Sequence, residues 1–190
     1  MECAGVDQCR PWPTIAVNDA YRLAPWADVL YACDGKWWDV HIDHVKASGF
    51  SGQLWTQDEA AARRHGLRRI VGHAGRGLNR APGYINFGNS SGYQAINAAW
   101  HWGARRLVLL GFDCTPVGGK RHWFGDHPAG LNNPNQVFAK WQERFPELAR
   151  DLRAEGVEVF NCSPVSALRC WPKVSVGEAL ASRLSDPLSA

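Results

Sequence analysis

Short apolar runs alternate with helix-like runs along most of the chain, and this alternation constrains the fold more than any other feature. The strongest run is Arg105–Asp113, "RRLVLLGFD", in which two charges precede a continuous apolar stretch and Gly-Phe-Asp follows it. Weaker runs of the same kind are Thr14–Val17, Asp28–Cys33, Gly52–Thr56, Arg68–Val71, Tyr84–Phe87 and Gly156–Cys162. Continuous apolar runs are typical of parallel strands that are covered on both faces.

Helix signals fall between these runs. Asp58–Gly66 begins with Asp, is rich in alanine and stops at Gly, and Ser91–Ala104 carries apolar residues at helical spacing. Asn135–Gly156 predicts a long helix that Pro146 breaks or kinks. The alternation predicts an α/β sandwich around a mainly parallel sheet, formed as one domain by all 190 residues, with a C-terminal helix and tail over residues 175–190.

Composition excludes several classes of protein. Hydrophobic residues make up 45% of the chain and charged residues 21%, which is typical of a globular domain rather than a disordered one. The net charge of +3 comes from short basic clusters and not from one basic arm, so it does not predict nucleic acid as a partner, and a small anion fits as well. The six cysteines show neither a CxxC pair nor zinc-ligand spacing. Without a signal peptide or an apolar run of ~20 residues, we expect no membrane span and a cytoplasmic location.

Polar residues follow three of the predicted strands, at the edge where ligands bind in parallel sheets. Asn18 and Asp19 follow the first apolar run, Asp34 follows the second, and Asp113 follows the strongest one. Asn18 and Asp19 are able to hydrogen-bond a sugar or the edge of a base, so they are candidate binding residues together with Asp34. A helix N-cap is the alternative for Asp19, and a simple turn is the alternative for Asp34.

The segment Gly88–Ile96, "GNSSGYQAI", predicts an anion site at the start of a helix. Backbone N–H groups and the positive end of the helix dipole favour phosphate or carboxylate there, and a glycine allows close approach. The candidate residues are Asn89, Ser90, Ser91 and Gly92. Ordinary helix capping by the serines is the alternative interpretation.

The segment "GKRHWFGDHPAG" matches neither helical nor strand periodicity, and we expect it to form a loop over the ligand edge of the sheet. A loop histidine with a near-neutral pKa is suited to general-base catalysis, which makes His127 the candidate base beside Asp126. His122, in the same segment, is a candidate substrate-binding residue. Metal binding together with Asp113 and simple exposure to solvent are the alternatives.

Tryptophan is abundant, with ten residues in the chain. Those in polar surroundings either pack in the core or form a flat wall on which a base or sugar ring stacks. They are Trp37, Trp38, Trp100, Trp102 and Trp123. Trp123 and Phe124 are the candidates for a wall beside the substrate, because they lie within the histidine-bearing segment.

Taken together, "NSSGYQAINAAWHWGARRLVLLGFDCTP" and the later "HWFGDHP" resemble the segment order of the bacterial sialyltransferase-like fold. "AVNDAYRLAPWADVLYACD" resembles the earlier Asn-bearing strand of those enzymes and the strand after it. The chain also resembles a broader group of phage and prophage proteins, motility-associated glycosyltransferase-like proteins and hydroxymethyl-dihydropterin diphosphokinases. The phage-type proteins resemble it over nearly the whole chain, and the characterised transferases over about residues 14–128.

The resemblance implies a single Rossmann-like three-layer domain and a metal-independent, nucleotide-sugar-dependent glycosyltransferase-like enzyme of phage or prophage origin. Asn18 would face the nucleotide donor, and residues 90–92 would hold its anionic group. His127 would be the general base that activates the acceptor hydroxyl, with Asp113 or Asp126 orienting it.

The sequence departs from that group at one point. Members begin with a strand and a Gly-x-Gly-Pro-Ser-Leu turn that cradles the nucleotide, whereas this sequence begins "MECAGVDQCRPWP". Either the start is internal to a longer protein or the sheet lacks its first strand, which would expose a sheet edge and favour a partner or a homo-oligomer. Two alternatives therefore stand: a catalytically silent nucleotide-binding or virion-associated protein, and a diphosphokinase with Mg²⁺ on Asp34 and Asp113.

Overall fold

The structure is a computed structural model, and it describes residues 5–120 and 138–181. Its strands are β1 (Ile15–Val17), β2 (Val29–Tyr31), β3 (Gln53–Thr56), β4 (Arg68–Arg69), β5 (Val71–His73), β6 (Tyr84–Asn86), β7 (Arg106–Leu109) and β8 (Glu158–Asn161). Its α-helices are α1 (Gly35–Ala47), α2 (Glu59–His65), α3 (Ser91–His101), α4 (Phe138–Ala154) and α5 (Val176–Ala181), and 3₁₀-helices span Val6–Cys9 and Asn18–Arg22. None of these helices, within the described ranges, is long and apolar enough to cross a membrane.

Every pairing between these strands is parallel, which confirms the α/β class with a parallel sheet. The ladders are β1-β2-β3-β4, β5-β6 and β7-β8. The run predicted as one strand over Arg68–Val71 is divided between two ladders. Its N-terminal part pairs with β3, Ile70 donates its N–H to the Thr56 carbonyl at 3.1 Å, and Val71 then begins the pairing with β6.

Helix α1 is an element that the sequence analysis missed. Its N-cap is Asp34, whose carboxylate accepts a hydrogen bond from the Lys36 N–H at 2.9 Å, so Asp34 is more than a simple turn residue. The buried residues of this helix recur at helical spacing and include Trp37 and Trp38. Both tryptophans are therefore core residues, and Trp37 also lines the cavity described below.

The long helix α4 continues through Pro146, so of the two predicted effects, a break or a kink, the break is wrong. Proline removes one backbone hydrogen bond from a helix interior. The helix is held against the core beside that point because Phe145, Leu148 and Leu152 are buried at 1%, 0% and 0% exposure. Burial of these three side chains stabilises the helix by more than the lost hydrogen bond costs it.

Helices cover both faces of the β1–β4 ladder. Side chains alternate along β1: Ala16 packs in the cluster that contains Trp38 of α1, whereas Ile15 and Val17 pack against the cluster that contains Ala95 of α3. The two faces of the ladder therefore meet different helices, which gives three layers.

The sheet is interrupted between β1 and β7. In the described part of the chain, β1 pairs only with β2 and β7 pairs only with β8. The second edges of both strands border one cavity of about 1050 Å³, which α3 also lines. This cavity positions the candidate site.

Candidate functional site

One end of the cavity lies beyond the carboxyl ends of β1, β2 and β7, and we call this end the mouth. Its residues come from four segments of the chain: Asn18, Cys33 with Asp34, the run 89–92, and the run 113–115. The structure thus brings together seven of the sequence-predicted site residues, namely Asn18, Asp34, Asn89, Ser90, Ser91, Gly92 and Asp113. This convergence follows from the parallel strands, whose carboxyl ends meet at one edge.

Backbone strain is concentrated at the mouth. Three non-glycine residues in the described ranges have a positive φ: Asn18 at 50°, Asn89 at 59° and Cys114 at 49°. All three line the mouth. The left-handed conformation costs about 1–3 kcal/mol at a non-glycine residue, and such residues cluster at functional sites. Asparagine tolerates it better than most residues, which explains two of the three positions, but cysteine has no such advantage.

The two serines at the start of α3 have different environments. Ser90 occupies the N-cap position, yet its hydroxyl makes no capping hydrogen bond. The Ser91 hydroxyl accepts the Cys33 N–H at 3.2 Å and donates to the Cys33 sulfur at 3.1 Å, so it joins α3 to the end of β2. Helix capping by these side chains, the alternative interpretation of the sequence, is therefore wrong for both of them.

The first N–H groups of α3 are open to a ligand. Within the described residues, no acceptor is bonded to the backbone N–H of Ser91, Gly92 or Tyr93, whereas Gln94 already donates to the Ser90 carbonyl at 3.1 Å. The Ser90 hydroxyl lies beside these donors. A helix of this length directs the positive end of its dipole toward that point, so the groups form a set suited to an anion.

Gly92 also has a packing role. A Cβ built on this residue would lie 2.8 Å from the Phe112 ring, too close for any real side chain. Glycine at this position therefore lets the loop after β7 approach the start of α3. The sequence pattern alone did not distinguish this packing role from an approach by a ligand.

Two side chains of α4 hold the strained loops in place, and the sequence analysis missed both. The indole N–H of Trp141 donates to the Asn89 carbonyl at 2.8 Å, and the Gln142 amide donates to the Cys114 carbonyl at 2.9 Å. Two of the left-handed residues are thus each fixed by one hydrogen bond from the same helix. No local signal in the sequence links the first turn of α4 to loops that lie 28 and 52 residues away.

The predicted carboxylates differ in their surroundings. Asp113 is half-buried in the mouth, and burial raises the pKa of its carboxyl above the ordinary value. Asp19 is 2% exposed and is not among the residues of the mouth. Its carboxylate accepts the Trp37 indole N–H at 3.1 Å and pairs with Arg22 at 3.0 Å. It lies inside the 3₁₀-helix Asn18–Arg22, whose N-cap is Val17, so the N-cap alternative for Asp19 is wrong.

The thiols at the mouth are protonated at neutral pH. Burial raises the pKa of Cys33 to about 11 and that of Cys114 to about 12. A nucleophilic or metal-binding cysteine requires the thiolate, so these two groups are suited to neither role as they stand. The five described cysteines are free, and the described residues contain no cluster of three or more metal-ligating side chains.

The histidine-bearing segment lies outside the described residues. His122, Trp123, Phe124, Asp126 and His127 all belong to it, so their predicted roles as base, orienting group and substrate wall stay predictions. The mouth, as described, holds hydrogen-bond donors, amides and carboxyls. This arrangement is able to bind an anionic ligand and to contact a polar group beside it.

No protein-family model, curated protein or solved structure matches the chain. The fold and the geometry of the mouth therefore carry the functional argument.

Proposed function

We propose that the mouth binds the phosphate of a nucleotide or nucleotide sugar, and that the chain is a glycosyltransferase-like enzyme of the sialyltransferase-like, phage-type group. One observation carries this proposal: the left-handed Asn18, Asn89 and Cys114 all surround the open N–H groups at the start of α3. Strain of this kind persists only where the surrounding structure fixes it, and a preformed binding site benefits from fixed groups.

Each group at the mouth has a definite part in the proposed complex. The backbone N–H groups of residues 91–93 and the Ser90 hydroxyl donate to phosphate oxygens. The Asn18 side chain, at the end of β1, contacts the nucleoside. The half-buried Asp113 carboxyl orients the acceptor or the base.

The transfer step depends on His127. Its imidazole would take the proton of the acceptor hydroxyl while the oxygen attacks the sugar carbon and the nucleotide leaves as its phosphate. Such a single displacement inverts the sugar carbon and needs no metal ion. In the diphosphokinase alternative, Mg²⁺ would instead bind the carboxylates of Asp34 and Asp113.

A catalytically silent nucleotide-binding or virion-associated protein is the second candidate. It requires only the phosphate-binding groups of the mouth, which all lie among the described residues. We also propose a cytoplasmic location, because the five described cysteines are free.

Calorimetric titration of the folded protein with nucleoside monophosphates, nucleoside diphosphates and sugar nucleotides tests the proposal. We expect Ser90→Ala to weaken binding about tenfold to a hundredfold, because a hydrogen bond to a charged group contributes about 1.5–3 kcal/mol. Ser48→Ala is the matched control, since Ser48 lies at the C-cap of α1 and bonds the Val45 carbonyl at 2.7 Å. Absence of binding by any of these compounds would refute the site.

The His127→Ala variant separates the two candidates. Lost turnover with unchanged donor affinity supports the enzyme, and binding without turnover in the unmodified protein supports the silent alternative. Turnover that survives a chelator counts against the diphosphokinase.

A further inference from the structure

The deeper part of the cavity lies between the open edges of β1 and β7, and we call it the slot. Ile15 and Val17 line one side, and Arg106–Leu110 lines the other. Ala95 of α3 covers one face, and Val6, which packs in the cluster around Ala16, covers the opposite face. The slot is therefore bordered by two strands and two layers of side chains.

The backbone of β1 directs unused hydrogen-bonding groups into the slot. The Thr14 carbonyl accepts the Val29 N–H at 3.2 Å, so Thr14 and Ala16 direct their backbone groups toward β2. Successive residues of a strand alternate in this respect, which directs the N–H and C=O of Ile15 and Val17 to the other side. No partner for them occurs among the described residues.

The facing edge of β7 has the same property. The Leu109 carbonyl accepts the Cys162 N–H at 2.8 Å, so Leu107 and Leu109 are bonded to β8. Val108 and Leu110 therefore direct their N–H and C=O into the slot, where the described chain offers no partner. Both β1 and β7 end at the mouth, so the two edges run in the same direction.

The side chains of β7 are also less buried than their apolar sequence predicts. The run Arg105–Asp113 is the most apolar in the chain and predicts a strand that is buried on both sides, yet Leu107, Val108 and Leu110 are only half-buried. Apolar surface and open backbone groups thus lie along the same edge. Water satisfies the backbone groups but leaves the apolar surface uncovered.

We propose that the slot is a receptor for one extended strand of apolar residues, supplied by a separate peptide segment, which pairs with β1 and β7 at the same time. The two facing ladders supply evenly spaced donors and acceptors on both sides of such a strand. The charged residues that line the cavity are Asp28 and Arg106 at one end and Asp34 and Asp113 at the other. The slot between these ends is lined by uncharged side chains, which favours an apolar occupant.

The test uses a synthetic peptide of about six alternating valine and isoleucine residues, a usual strand length, with serines at both blocked ends. Amide hydrogen exchange is followed residue by residue in the protein. We expect exchange at Ile15, Val17, Val108 and Leu110 to slow at least about tenfold at saturating peptide, because each gains a hydrogen bond. Exchange at Leu109, already bonded to β8, provides the internal control. Unchanged exchange at all four residues overturns the proposal.

Two N-methylated forms of the peptide sharpen the result. One carries methyl groups on the odd residues and the other on the even residues, so each loses the hydrogen bonds along one edge only. Loss of binding by both forms supports a strand held between two edges. Loss by only one form means that a single edge is used, and binding by both means that the cavity takes any apolar molecule; either result refutes the proposal.

A variant of the protein and its oligomeric state complete the test. Ala99→Phe adds bulk inside the cavity and is expected to abolish peptide binding while nucleotide binding at the mouth persists. If this variant fails to fold, the methylated peptides decide alone. Light scattering on the protein without peptide must show a monomer; a dimer in which the four amides are already protected would assign the slot to a second copy and refute the proposed occupant.

Discussion

Strands β2 and β7 both come from apolar runs of the sequence, but their surroundings differ. β2 lies between β1 and β3, and its Leu30 and Tyr31 are both 0% exposed. Among the residues that the structure describes, β7 has a neighbouring strand on one edge only, and of its four residues only Leu109 is fully buried. The side chains of an apolar run are thus largely buried in β2 and only partly buried in β7.

The difference shows that an apolar run in the sequence predicts a strand that is most stable when buried. It does not show that the folded chain buries that strand on all sides. Burial of a strand depends on both adjacent strands and on the layers above and below. The helices supply those layers for β2 and for much of β7, whereas within the described ranges only β2 has a strand on both edges. Site and slot both lie on the less covered side, where open groups remain for ligands.

The largest expected effect comes from the same truncation in each strand. Leu30→Ala should lower the free energy of unfolding by about 2–5 kcal/mol, because it leaves a cavity in a fully packed region. Leu107→Ala should cost about half of that or less, since its side chain is already partly exposed. Urea denaturation measures both values. Equal losses would show that β7 is as well packed in solution as β2.

Alanine substitutions at two glycines compare the loop before β3 with the loop after β7. A Cβ at Gly52, which precedes β3, would lie 2.3 Å from the Ala27 carbonyl oxygen, so Gly52→Ala should cost about 1–3 kcal/mol or more through displacement of the backbone. Gly111, after β7, has a φ of +73° and nothing within 4 Å of the added carbon. Gly111→Ala should cost only about 1 kcal/mol, from backbone strain. Thermal unfolding ranks the two, and the reverse order would contradict the comparison.

The smallest effect concerns Asp113 at the end of β7. Its folded-state pKa is raised by burial, so its contribution to stability is fully present below its ordinary pKa of 3.8 and is lost as the pH rises through the folded-state pKa. Asp113→Asn removes this titration. The melting temperature of the variant relative to the unmodified protein should therefore be higher at pH 7 than at pH 3.5. A difference that is independent of pH would show that Asp113 titrates normally.

Local patterns in the sequence were sufficient for most of the elements. The alternation of apolar runs and helix signals located the strands to within a few residues, because a covered strand and a capped helix leave marks within their own segments. Helix α1 was missed although Asp34 and the spacing of Trp37, Trp38, Ile42 and Val45 carried a helical signal. Its two adjacent tryptophans were weighed as a stacking surface instead.

The candidate site was predicted in part. Residues that follow strands converge at the mouth by the geometry of a parallel sheet, so Asn18, Asp34 and Asp113 were accessible to sequence reasoning. The different hydrogen bonding of Ser90 and Ser91 could not be predicted from the sequence, because it depends on Cys33, which lies 58 residues from Ser91. The hydrogen bonds from Trp141 and Gln142 to the strained loops could not be predicted either, because they also join distant segments of the chain.

The sequence by itself determined the class of fold, the order of its elements and the edge at which polar groups gather, since each follows from periodicity and from strand ends. The tertiary structure alone decided which apolar strand is only half-buried and which serine hydroxyl is not bonded to Cys33. Such outcomes depend on the neighbours that each segment meets, and contacts between distant segments leave no periodic mark on either of them.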